Sequence, residues 1–217
     1  MFCGRPAFKV GDEGVPIDAL DPRLCLPPDW TEERFRSLLA RPIFDCASRG
    51  CVRFHHRRVR EYLAASWVKA RMDAGCSLAE LEALFFVRIG TRRVVRRSLA
   101  PVVAWLVSGS DSWSSHLREW ILESAPGIHL QFGDPAGLSP EYKRAVLLAL
   151  LQAHKTHQFL WFEPDQSALR RFADPALESD VLCLIRDSST SPRLRIEMLN
   201  LAKTAKFMEQ DSPNTWK

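Results

Sequence analysis

The chain has 217 residues, of which 46% are hydrophobic and 26% are charged, and its formal net charge is +4. This length and composition are ordinary for a globular protein with one large domain or two small ones. The mild positive charge does not by itself indicate a protein that binds nucleic acid.

The sequence predicts neither a membrane span nor a disulfide scaffold. The longest uncharged apolar-rich run, residues 98–110, is too short to cross a bilayer. The first ten residues lack the apolar segment of a secretory signal. Six cysteines are scattered along the chain without a regular spacing, which favours reduced thiols. We therefore expect a cytoplasmic protein.

The first part of the chain predicts a helix followed by a β-hairpin. Residues 1–30 contain five prolines and three glycines, so we expect an irregular lead-in there. A helix is predicted to begin at Thr31, its N-cap, and to be stopped by Pro42. The runs "IFDC" and "CVRFH" are β-prone and are separated by a glycine-containing turn at residues 48–50, which predicts a hairpin.

A second helix is predicted to begin near Arg57 and to bury one face. The residues with the spacing of that face are Val59, Tyr62, Leu63, Ser66 and Ala70. Helix, hairpin and helix in this order are typical of the last part of a winged-helix domain. We assign residues 31–75 to that domain.

Beyond Gly75 the sequence predicts helices only. Ser77 and Glu80 have the spacing of a capping box. Further helical patterns occupy residues 98–106, 116–123, 139–153, 167–172, 177–185 and 191–207. Ser139 and Ser191 each precede a proline, as expected for an N-cap before proline at the first helical position. We therefore expect a HEAT-like α-solenoid over residues 76–217, and a fold that is mainly α.

Residue types suited to metal binding occur near the hairpin, but their spacing does not favour a site. Cys46, Cys51, His55 and His56 do not have the paired spacing of zinc ligands. Adjacent strand residues point to opposite faces, so the two histidines are not expected to reach one ion. The sequence contains no glycine-rich phosphate loop and no recognisable catalytic motif. We predict no metal site, no catalytic residue, no cofactor bound by this chain alone and no enzyme activity.

Arginines are concentrated in two stretches. Residues 53–72 hold six basic residues and one acid, and no acid lies between Glu82 and Asp111. Arg88, Arg92 and Arg96 would line one face if that stretch is helical. This pattern leaves open a winged-helix nucleic-acid-binding protein with a helical interaction domain. Its candidate contacts are Arg57, Arg58, Arg60, Arg92 and Arg96, although a solvated charged face is the favoured interpretation.

The stretch "FHHRRVREYLAA", residues 54–65, resembles a signature of NACHT-type STAND NTPases, which are nucleotide-switched ATPases of signalling and defence. The signature, F-x-H-x-x-x-x-E-[FY]-L-A-A, lies at the end of the winged-helix domain in that family. Its positions are taken by Phe54, His56, Glu61, Tyr62 and Leu63, followed by two alanines. His55 lies at a variable position. The flanking segments are also similar, so the resemblance covers about residues 20–155.

The resemblance implies that His56 contacts the β-phosphate of bound ADP in a resting state. It implies a non-catalytic switch or sensor segment, which couples nucleotide state to a helical recognition or autoinhibitory array. The family uses ATP and ADP, but these 217 residues contain no Walker motif, so the implied partner is a nucleotide-binding domain in cis or in trans. The array is expected to bind a protein ligand or to self-associate, and no membrane contact is expected. A helical scaffold with no switching role is the remaining alternative.

Overall fold

The structure, a computed structural model, describes residues 15–16, 31–46, 51–109, 111–156, 164–205 and 207. Most of them are helical, which confirms the mainly α prediction. The α-helices in these ranges are α1 (Glu32–Leu39), α2 (Arg57–Asp73), α3 (Leu78–Phe85), α4 (Ala100–Val107), α5 (Ser114–Ser124), α6 (Pro140–Lys155), α7 (Gln166–Phe172), α8 (Glu178–Arg186) and α9 (Pro192–Ala205). The strands are β1 (Val15–Pro16), β2 (Phe44–Cys46), β3 (Cys51–Phe54), β4 (Phe86–Ile89) and β5 (Arg92–Val95).

The chain divides within α2 into two compact units, Met1–Leu63 and Ala64–Lys217. We call them the hairpin unit and the helical unit. The three segments predicted from the sequence, with limits at residues 30 and 75, stay a prediction. Among the described residues, no helix is long and apolar enough to cross a membrane.

The hairpin unit contains the predicted helix and hairpin together with a third strand. Thr31 caps α1 as predicted, because its side-chain oxygen accepts a hydrogen bond from the Arg34 N–H. Strands β2 and β3 pair antiparallel, and β1 pairs with the other edge of β3. The prediction of an irregular lead-in was therefore wrong for Val15–Pro16, which form β1. The rest of the lead-in and the hairpin turn at residues 48–50 lie outside the described residues.

The buried face of α2 is not the predicted one. The buried residues are Glu61, Ala65, Val68 and Met72, whereas Tyr62 (52%), Leu63 (41%) and Trp67 (46%) are exposed, and so are Ser66 and Ala70. Both sets have helical spacing, since α2 carries apolar residues on two faces. Spacing alone therefore did not identify the face that is buried.

A second hairpin interrupts the helices that were predicted beyond Gly75. Strands β4 and β5 pair antiparallel from Phe86 opposite Val95 to Ile89 opposite Arg92. The turn between them has two residues and begins with Gly90, whose φ of +60° favours glycine. The stretch is not helical, so Arg88, Arg92 and Arg96 do not form the helical stripe that was considered. Strand alternation puts Arg88 and Arg92 on opposite faces of the hairpin.

The helix starts of the helical unit follow the predicted local signals. Ser77 and Glu80 form the capping box at α3, with each side chain bonded to the other residue's backbone N–H. Ser139 caps α6 and Ser191 caps α9 through bonds from the Tyr142 and Leu194 N–H groups. The six predicted helical patterns correspond to α4–α9.

Helix α4 lies in the core of the helical unit, with seven of its eight residues buried. Arg118 on α5 donates to the carbonyls of Val107 and Gly109, just at and beyond the end of α4 (3.1 and 2.6 Å), so it satisfies groups that a helix end leaves open. Gly133 has a φ of +75°, and a Cβ there would lie 2.8 Å from the backbone of Ala104. Glycine is therefore required at this close approach.

A buried ion pair joins α6 to the turn that precedes α8. The Lys143 side chain is 3% exposed, and its ammonium lies 3.1 Å from the Asp174 carboxylate. The Ala176 N–H, and then Lys143, hold the pKa of Asp174 below its usual value. The same side of α6 places Arg144 2.9 Å from Asp180 and 2.6 Å from the Ala176 carbonyl.

We expect Asp174→Ala to lower the free energy of unfolding by about 3 kcal/mol, because it leaves the Lys143 charge buried without a partner. Lys143→Met is expected to cost about 1 kcal/mol, because Asp174 retains the Ala176 N–H and contact with water. The double variant should recover most of the loss. Urea denaturation of all four proteins measures this, and equal losses in both single variants would contradict it.

A buried histidine lies between α5 and α6. His129 is fully buried, and its Nε2 lies 3.4 Å from the Tyr142 hydroxyl. The Arg118 guanidinium lies over the Tyr142 ring at 5.4 Å. Burial, together with the nearby Arg118 charge, lowers the pKa of His129 to about 3. His129 is therefore neutral in the folded protein.

This neutral histidine predicts a loss of stability in mild acid. Below pH 6.5 the unfolded chain binds a proton at His129 that the folded chain does not bind until about pH 3. Stability should therefore fall by about 1.4 kcal/mol per pH unit across that window, in addition to the contribution of other groups. Denaturation of His129→Phe should show a slope shallower by that amount. The exposed control His116→Gln should keep the wild-type slope, and an unchanged slope in His129→Phe would refute the prediction.

Candidate functional site

The signature stretch begins at the end of the first hairpin, where Asp45 holds two basic side chains. Asp45 lies directly opposite Arg53 in the register, and its carboxylate is 3.8 Å from the Arg53 guanidinium. The same carboxylate lies 2.9 Å from Nδ1 of His55. The His55 N–H donates to the Ile43 carbonyl at 2.9 Å. His55, the variable signature position, is thus tied to β2 by its backbone and its side chain.

His56 is the last residue before α2. Its carbonyl accepts bonds from the N–H groups of Val59 and Arg60 and so starts the helix. Its side chain is exposed, and its ring lies edge-to-face on His55 with centroids 4.3 Å apart. The expectation that the two rings point to opposite faces was wrong, because the strand ends at Phe54 and the chain bends before His56.

The first turn of α2 has the positive potential of a helix N-terminus. It contains no acidic residue, although acids are the residues that stabilise a helix N-terminus. Arg57 pairs with Glu61 one turn further along, at 2.7 Å. The Glu61 carboxylate is buried and the Arg57 side chain is 64% exposed. This end of α2 therefore favours an anion.

The remaining signature residues divide between packed and exposed positions. Phe54 packs on Phe44, its cross-strand neighbour, with ring centroids 4.9 Å apart. Glu61 is buried, whereas Tyr62 and Leu63 are exposed. The prediction that Tyr62 and Leu63 lie on the buried face of α2 was wrong for both.

The arginines named as nucleic-acid contacts are distributed over both units. Arg57, Arg58 and Arg60 lie on α2 in the hairpin unit, and Arg58 and Arg60 have interactions of their own. Arg92 and Arg96 lie at β5 in the helical unit. The arrangement is not a single helical stripe, because the second group belongs to a hairpin.

The possible metal ligands whose side chains the structure describes are Cys51, His55 and His56. Among the residues that the structure describes, no group of three or more histidine, cysteine and acidic side chains is arranged to hold an ion. Cys51 is half-buried, and the side chain of Cys46 lies outside the described residues.

Two features of the site and its surroundings were missed by the sequence analysis. Asp45 was not predicted as the partner of His55, although a hairpin register that pairs Asp45 with Arg53 brings it close to the end of β3. The buried pair of His129 and Tyr142 was also missed, because thirteen residues of sequence separate them. No family model, curated protein or solved structure matches the chain.

Burial of Glu61 predicts that its charge is not needed for stability. We expect Glu61→Met to change the free energy of unfolding by less than about 1 kcal/mol, because the lost pair leaves Arg57 in water and a buried carboxylate is replaced by an apolar group. Val68→Ala, on the same buried face, is the control and should cost about 2 kcal/mol. A loss in Glu61→Met as large as that of the control, measured by urea denaturation, would show that the pair is stabilising.

Proposed function

We propose that this chain is a non-catalytic switch segment of a NACHT-type STAND NTPase, in which His56 contacts the phosphate of a bound nucleotide. The observation that carries the proposal is the position of His56. The signature histidine lies exposed at the turn from β3 into α2, next to the positive end of the helix. An anionic group at this turn can receive hydrogen bonds from an imidazole and meet the helix dipole.

The environments of the two histidines favour His56 over His55. The His55 Nδ1 is engaged by Asp45, so His55 is oriented by the hairpin. Among the described residues, the His56 ring contacts the His55 ring and has no hydrogen-bonded partner. Asp45 therefore orients His55, and His55 contacts the ring of His56, which is available to a ligand.

In this proposal the nucleotide comes from another domain. A nucleotide-binding domain in cis or in trans holds ATP or ADP, and the turn at His56 docks against its phosphates. Loss of that contact shifts the population from a closed to an open state. The helical unit acts as a recognition or autoinhibitory array, and the protein works in the cytoplasm.

The DNA around the gene gives the first test. A reading frame that is continuous with this chain, or adjacent to it, should encode a nucleotide-binding domain with a Walker A motif. A stop codon upstream, with no such domain encoded nearby, would contradict the proposal.

The second test uses the protein that contains both parts. His56→Ala should raise the dissociation rate of a fluorescent ADP by about tenfold, because it removes one hydrogen bond to a charged group. The variant should also form more oligomer before activation. His116→Ala, an exposed histidine on α5, is the matched control and should release ADP at the wild-type rate. An unchanged ADP dissociation rate in His56→Ala would exclude the phosphate contact.

A further inference from the structure

The second hairpin has two faces of different character. Strand alternation and the register place Phe86, Arg88, Arg93 and Val95 on the face toward α5. The opposite face, which we call the outer hairpin face, consists of Val87, Ile89, Arg92 and Val94, and the same alternation continues to Arg96.

The inner face is packed and its charges are compensated. The Phe86 ring lies edge-to-face on Trp120 at 5.6 Å, and the Arg93 guanidinium lies over the same indole at 4.8 Å. Arg93 also pairs with Glu82 (3.1 Å) and Glu123 (2.9 Å). Arg88 pairs with Glu82 at 2.9 Å. These contacts fix the hairpin on the helical unit.

The outer hairpin face combines exposed apolar side chains with two arginines. Ile89 lies opposite Arg92 near the turn, Val87 lies opposite Val94, and Arg96 follows at the other end. Ile89 is 65% exposed and Val87 is 40% exposed. Arg92 and Arg96 form no ion pair with a carboxylate in the described part of the chain, and the Arg96 guanidinium donates only to the Ala83 carbonyl, at 3.5 Å. No acid occurs in the sequence between Glu82 and Asp111, so nothing nearby in the sequence neutralises this face.

We propose that the outer hairpin face binds an extended acidic segment of another protein. Alternate apolar side chains of that segment cover Val87 and Ile89, and its carboxylates pair with Arg92 and Arg96. This surface lies in the helical unit, and its role is independent of the phosphate contact proposed for His56.

The geometry of the hairpin favours an extended segment. The side chains of the outer hairpin face repeat every second residue along each strand, which is the period of an extended partner. Arg92 and Arg96 are four residues apart on an extended backbone, which separates them by about 13 Å. A partner strand that carries acids four residues apart, with an apolar residue midway between them, matches that spacing.

Charge and composition argue against other occupants. A second copy of the chain would bring Arg92 and Arg96 against like charges, which opposes pairing of two outer hairpin faces. A single-stranded nucleic acid would gain the charge contacts, but the face offers no aromatic side chain on which a base can stack. An acidic protein segment satisfies both the charges and the exposed aliphatic side chains.

The test uses short fluorescent peptides and the whole chain. A peptide with the repeat Glu-Ser-Val-Ser, which as a strand presents glutamate and valine in turn on one face, should bind, and its anisotropy signal should weaken as salt is added. The peptide with lysine in place of glutamate should not bind. Arg92→Glu and Arg96→Glu should each weaken binding about tenfold, and Ile89→Thr, which keeps a β-branched residue in the strand, should weaken it about fivefold. Arg186→Glu on α8 is the charge-matched control and should bind like wild type.

Three outcomes would overturn the proposal. The first is equal binding of the glutamate and lysine peptides, or no binding of either. The second is a single-stranded oligonucleotide that binds more tightly than the acidic peptide and depends on the same two arginines. The third is a dimer of the chain, seen by sedimentation, that Ile89→Thr dissociates. Thermal unfolding of each variant separates loss of binding from loss of fold, and binding lost only together with the fold would also count against it.

Discussion

The position of His56 depends on the two contacts that fix His55, the Asp45 carboxylate at its ring and the Ile43 carbonyl at its backbone. Asp45 reaches both Arg53, its cross-strand partner, and His55, the first residue beyond β3. Only two residues separate the end of β3 from the start of α2, so fixing His55 also limits the directions available to His56. The stretch thus combines an anchored histidine with an exposed one, and the anchored one is stacked edge-to-face on its neighbour. A surface ion pair contributes little to stability, but here the carboxylate determines orientation.

The helix caps were predictable from the sequence because each depends on residues that are close together in the chain. The caps formed by Thr31, Ser77, Ser139 and Ser191 involve bonds to a backbone N–H three residues away, so residue type and spacing are sufficient to find them. The hairpin of β2 and β3 was predicted for the same reason. The buried face of α2 was not predicted correctly, because Leu63 and Ser66 have the same helical spacing as Ala65 and Val68. The choice between two apolar faces is made by tertiary packing.

The second hairpin shows how one pattern can satisfy two periodicities. Arg88, Arg92 and Arg96 are spaced by four, as on a helix, whereas the β-branched residues around Gly90 alternate as in a strand. The glycine decides between them, because a residue with positive φ suits a two-residue turn and interrupts a helix. The partners that hold the inner face, Glu82 and Glu123, lie 11 and 30 residues from Arg93, and no local rule connects them.

Folding this stretch as a hairpin changes what its arginines can do. On a helix, the spacing by four would gather Arg88, Arg92 and Arg96 into one continuous basic stripe. On the hairpin, Arg88 and Arg93 lie on the inner face. Both pair with Glu82, and Arg93 also pairs with Glu123 and lies over the Trp120 ring. Arg92 and Arg96 form no ion pair with a carboxylate in the described part of the chain, and they lie on the same face as the exposed Val87 and Ile89. A face of this kind attracts a partner that is both acidic and apolar, and it discriminates against a partner that offers charge alone.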